Sequence, residues 1–156
     1  LKLLSQALDA GRLGPVRRLV NTLSPAEIGN LLESLPQTTA SYASYGFPIA
    51  EAFVPDGWLS EGGKLKVGAY EFDVLHIPGH TPGHVVFYCA AEKLLIAGDV
   101  LFYESIGRTD FPRGNHADLI SNITGKLLVL PEDTRVIPGH GRMTTIGHEK
   151  RHNPFL

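Results

Sequence analysis

Three times along the chain an apolar run ends in a glycine turn, and each turn is followed by a side chain able to bind metal. The runs are Leu75-His76-Ile77-Pro78-Gly79-His80, Leu95-Ile96-Ala97-Gly98-Asp99 and Val136-Ile137-Pro138-Gly139-His140-Gly141. Glycine lets a backbone turn sharply at a strand end, and sheet enzymes keep their sites outside strand ends. A single histidine of this kind is ordinarily a hydrogen-bonded structural residue. Three such turns together predict a centre built from His80, Asp99 and His140. Two imidazoles and a carboxylate suit zinc, with iron and manganese as alternatives. His84 follows a second Pro-Gly and is read as a partner that holds the first histidine or its turn. The remaining histidines, His76, His116, His148 and His152, are read as satisfied polar residues of a strand, a helix start and a polar tail.

The patterning divides the chain into residues 1–37, a junction 38–56, and 57–156. The first part reads as short helices: Leu3, Leu4, Ala7 and Leu8 are at helical spacing, and Ser24-Pro25-Ala26-Glu27 is a capping box with Pro at the first helical position. From Gly57 onward strands dominate. Lys64 to Val67 and Glu71 to Ile77 form a hairpin about Gly68, with Phe72, Val74 and His76 alternating onto one face. His84 to Cys89 and Leu94 to Ala97 form a second hairpin. A helix capped by Asn115 buries Leu119, Ile120, Ile123 and Leu127. A strand at Arg135 to Ile137 and a helix from Ile146 to His152 close the chain.

With 14 basic and 16 acidic residues spread along 156 positions, no basic stripe exists to hold nucleic acid or a membrane surface. No run approaches the roughly 20 apolar residues of a membrane span, so a cytoplasmic protein is expected. The single cysteine, Cys89, lies in an apolar run and is read as a buried, inert thiol.

Pro78-Gly79-His80-Thr81-Pro82-Gly83-His84, Ala97-Gly98-Asp99, Gly107-Arg108-Thr109-Asp110-Phe111-Pro112-Arg113-Gly114, Ile137-Pro138-Gly139-His140-Gly141 and His152-Asn153-Pro154-Phe155-Leu156, in that order, resemble the glyoxalase II-like branch of the metallo-β-lactamase superfamily. The resemblance is to the short bacterial hydroxyacylglutathione hydrolases, with some likeness to persulfide dioxygenases. It implies an α/β fold: half of an αββα sandwich, a mixed sheet with covering helices, preceded by a small all-helical segment. It also implies that His80 binds one metal, His140 a second, and Asp99 both, and that a metal-bound hydroxide attacks a small-molecule thioester such as S-lactoylglutathione. Arg108 and Arg113 are candidates to hold an anionic substrate group, or else to pair with Asp110. Residues 1–37 weakly resemble the helical repeats of MgtE-type magnesium transporters.

One departure stands out. The family's Thr-His-x-His-x-Asp-His signature supplies the remaining ligands, and no His-x-His occurs in this chain. Half a sandwich also leaves an apolar sheet face to be covered. Two expectations follow. One is a metal-dependent hydrolase, with an iron oxygenase as its variant, whose site a second chain completes, a homodimer covering the sheet face. The other is a chimeric or truncated, catalytically inactive protein of the same fold.

Overall fold

The computed structural model describes residues 59–156, so the proposed helical segment 1–37 and junction lie outside the described residues. Strands β1 (Lys64–Val67) and β2 (Tyr70–His76) pair through a two-residue turn in which Gly68 takes φ 63. Positive φ at such a turn is what a tight hairpin demands. Strands β3 (Val85–Cys89) and β4 (Leu94–Gly98) form the second hairpin, closed by Cys89 opposite Leu94. The short strands β5 (Leu101–Phe102) and β6 (Ser105–Ile106) make a separate ribbon. Helix α1 (His116–Asn122) follows, then β7 (Arg135–Pro138), β8 (Thr144–Thr145) and helix α2 (Ile146–His152).

The main sheet among the described residues runs β1-β2-β3-β4-β7-β8. Only the β4–β7 pairing is parallel. Because β2 and β4 are both antiparallel to β3, the strands β2, β4 and β7 all point the same way. Their carboxyl ends therefore emerge on one edge of the sheet.

Alternation along β4 sends Leu95 and Ala97 into one cluster and Leu94 and Ile96 into another. The first cluster includes Leu119, Ile123, Leu127 and Ile146, so the helices cover that face. The second gathers Val67, Phe72, Cys89 and Ile137, all 1% exposed or less, so the sheet face expected to need covering carries buried side chains. A strand buried on both faces reads as an unbroken apolar run, as Leu94 to Ala97 does.

Asn115 caps α1 by accepting from the Asp118 amide at 3.2 Å, as its position in the sequence indicated. The helix differs from expectation beyond Asn122. Ile123–Leu127 is a π-helical turn in which the Leu128 amide donates to the Ile123 carbonyl at 3.0 Å. Thr124 and Gly125 favour regular α-helix poorly, and the wider turn still buries both Ile123 and Leu127.

Candidate metal centre

Each metal-binding candidate is delivered by a turn whose glycine is sterically enforced. At the end of β2, Gly79 takes φ 131, and a Cβ there would lie 2.6 Å from the Leu119 amide nitrogen. Its carbonyl accepts from the Asn115 amide at 2.8 Å, tying the His80 turn to the start of α1. At the end of β4, Gly98 takes φ 54 beside an irregularity in the pairing with β7. A Cβ at Gly139, after β7, would fall 2.2 Å from Asp99 Oδ1, and one at Gly107 would fall 2.0 Å from the Asp99 carbonyl oxygen. Asp99 is thus walled by two glycines, and only bare backbone fits beside it.

Residues far apart in sequence meet here. His80 Nε2 lies 3.9 Å from Asp99 Oδ2, and His140 Nε2 lies 3.9 Å from Asp99 Oδ1. That separation is too long for a hydrogen bond. It is close to what two ligands span across a shared ion with bonds of about 2.0–2.2 Å at a wide angle. One carboxylate thus faces two imidazoles, an oxygen to each.

The His80 Nδ1–H donates to the Arg108 carbonyl at 2.7 Å, which leaves the Nε2 lone pair facing Asp99. The His80 side chain is 12% exposed and that of His140 is 73% exposed, so the first is sequestered and the second open to solvent. The His140 ring rests on Phe102, centroids 4.5 Å apart. His84 meets His80 edge-on at 5.9 Å, and a Cβ at Gly98 would lie 2.8 Å from its Nε2. Burial, reinforced by the neighbouring His80 and His76, pulls His84 down to about 4, against a hydrogen bond with the Ala97 backbone that raises it. His84 is therefore a neutral wedge between the His80 and Asp99 turns.

The two arginines behave differently. Arg108 grips Asp110 with Nε and Nη2, both at 2.6 Å, and its guanidinium lies 4.5 Å over Phe111. That grip holds the Asp110 carboxyl down at about 2. Arg113 is exposed, in a left-handed turn at φ 65. His76 accounts for its polar groups locally, its Nε2 bonding the Pro82 carbonyl at 2.7 Å.

Sequence reasoning missed a buried support. Glu149, on α2, is wholly buried and accepts from Thr144 Oγ1 at 2.5 Å, the Glu104 amide at 2.9 Å and Asn153 Nδ2 at 2.8 Å. Asn153 Nδ2 also donates to the Ser105 carbonyl at 3.1 Å. Together they pin the β5–β6 turn next to Phe102, the residue on which His140 rests. The terminal His-Asn-Pro-Phe-Leu string was the available signal, and nothing in hydrophobic periodicity marks Glu149.

Residues 7–140 match the family model described as the metallo-beta-lactamase superfamily. The chain belongs to that superfamily. Within the superfamily it is glyoxalase II-like: the hydroxyacylglutathione hydrolase GloC of Haemophilus influenzae is 51% identical over 127 residues, 81% of this chain and 58% of that protein. The chain thus spans little more than half the length of this relative. A crystal structure of the BLEG-1 B3 metallo-beta-lactamase resembles it with a TM-score of 0.71 at 42% identity, covering 93% of this chain and 71% of that one. The di-iron-bound form of TTHA1623 gives 0.66 at 38% identity, covering 93% and 72%. The superfamily match begins at residue 7, inside the segment read as transporter-like, and these comparisons lend that second resemblance no support.

The donor set fits the superfamily's metal chemistry in part. Asp99 offers one oxygen to each histidine, which suits a bridged pair of ions. Catalytic zinc takes three protein ligands, and each ion here would have two among the described residues. No group of three or more His, Cys, Asp or Glu among the described residues is placed to hold an ion. No helix among them is long and apolar enough to cross a membrane.

Proposed function

We propose that this chain forms the carboxyl-terminal part of a metal-dependent hydrolase that cleaves a thioester such as S-lactoylglutathione. The observation that carries the reading is the carboxylate of Asp99 facing His80 and His140 at equal distances. The naming of the Haemophilus influenzae relative as a hydroxyacylglutathione hydrolase supports the substrate class. His80 would hold one ion, His140 the second, and Asp99 both. Zinc suits these donors, and the di-iron form of a solved relative makes iron the main alternative, ahead of manganese. When bound, such a pair lowers the pKa of a shared water toward about 7 and stabilises the oxyanion.

The chain's own residues prepare that site. The Arg108 carbonyl fixes the His80 tautomer. Neutral His84 keeps the His80 and Asp99 turns apart without adding charge. Arg108 and Arg113 are the candidates for a substrate's anionic group, and the Arg108 guanidinium also holds Asp110. The missing ligands would come from a second copy across the sheet edge, as a homodimer, or from the remainder of a longer protein.

Elemental analysis of the purified chain, with thioester hydrolysis measured with and without added zinc, tests the proposal. Bound metal with turnover that Asp99→Ala removes is the expected result. Metal-free protein without turnover above background would overturn it. Metal bound without turnover would favour the second reading, an inactive chain of the same fold, which the two-ligand count motivates.

A further inference from the structure

Helix α2 carries a second pair of histidines that the Asp99 centre does not use. His148 and His152 are one helical turn apart, ring centroids 4.8 Å from each other, and both are accessible to solvent. Glu104, in the β5–β6 turn at φ 50, brings Oε1 within 3.0 Å of His148 Nε2. Tyr103 stacks on His148 at 4.6 Å, nearly parallel, whereas its neighbour Phe102 packs against His140. The two residues thus face different histidines, and the β5–β6 turn separates this cluster from the Asp99 centre.

We propose that His148, His152 and Glu104 form a second site for a divalent cation of the zinc type. The four-residue spacing puts both imidazoles on one helix face, and two imidazoles with one carboxylate make the three-ligand set that leaves a position for water. His148-Glu149-Lys150-Arg151-His152 also spells the H-E-x-x-H of zinc hydrolases, whose glutamate acts as a base. Here Glu149 is buried and accepts from Thr144, Glu104 and Asn153, so it is closed to that role. The carboxylate at this site is that of Glu104, and the site binds a cation without a catalytic base.

The hydrogen bond between His148 and Glu104 keeps both groups at one point. On binding, the His148 hydrogen bond to Glu104 breaks and the ring changes tautomer through solvent, its proton moving from Nε2 to Nδ1, so that the neutral ring offers the Nε2 lone pair to the cation. The three side chains do not yet enclose a common point. Exposed rotamers interconvert in nanoseconds or less, so a turn of the accessible His152 side chain completes the set. Zinc is expected here whether or not the chain hydrolyses a thioester.

The test is histidine labelling of the unsubstituted chain with diethyl pyrocarbonate, with and without zinc, read by peptide mass spectrometry and paired with calorimetric zinc titration. Zinc should protect both His148 and His152 several-fold. His152→Gln should lose one zinc equivalent, or weaken that equivalent by more than the roughly 10–100-fold that loss of an outer partner costs. Glu104→Gln should weaken the same equivalent. Protection confined to His80 and His140, or unchanged zinc stoichiometry and affinity in His152→Gln, would overturn the site. Should a substituted chain fail to fold, the labelling of the unsubstituted chain decides alone.

Discussion

At Asp99 the limiting factor is space. Gly139→Ala would place a methyl group 2.2 Å from the Asp99 carboxylate, so the side chain must swing away from one of its histidines. We expect that variant to lose most of its bound metal while keeping its circular dichroism spectrum, with elemental analysis as the measure. His84 gives a prediction in pH. Its folded value of about 4 lies below the roughly 6.5 of an unfolded histidine, so the folded state favours the neutral ring. That contribution is complete above about pH 6.5, falls as pH drops from there, and is gone below about pH 4. Urea midpoints of the metal-free chain should therefore fall across that window, by on the order of 2–3 kcal/mol in stability, and His84→Gln should flatten the dependence. At the residue scale the sequence marked His80, Asp99 and His140 through their glycines. Glu149 went unnoticed because a buried carboxylate is defined by the partners around it, and those come from three other segments.

Among the elements, β4 buries four consecutive side chains, Leu94 to Ala97, two in each cluster. Leu95→Ala removes a fully buried side chain beneath the helices and should cost about 2–5 kcal/mol, measurable as a lowered urea midpoint. Glu149→Gln should cost about 1–3 kcal/mol, because the amide cannot accept in all three of the bonds that the carboxylate holds. The two hairpins were readable from alternation and from Gly68, and the cap of α1 from Asn115; the Thr145 cap of α2 was not read. The two-residue strands β5, β6 and β8 were not, being too short to carry a period. The π-turn after Asn122 was also hidden, since Ile123 and Leu127 satisfy α and π spacing alike.

For the whole molecule, a ligand that binds only the folded state must raise its stability, by about 2.7 kcal/mol at a hundredfold excess over its Kd. Zinc should raise the thermal midpoint and a chelator should reverse the gain. In Asp99→Ala, only the contribution of the site on α2 should remain. The sequence by itself determined the strand ends and the donor types that follow them, because glycine turns and donor chemistry are local properties. Only the tertiary structure decided that the three turns meet. The strand order makes β2, β4 and β7 parallel to one another, so His80, Asp99 and His140 emerge on the same edge. It decided too that Arg108 turns to Asp110 and that Glu149 faces inward, since such choices depend on which distant groups become neighbours once the sheet closes.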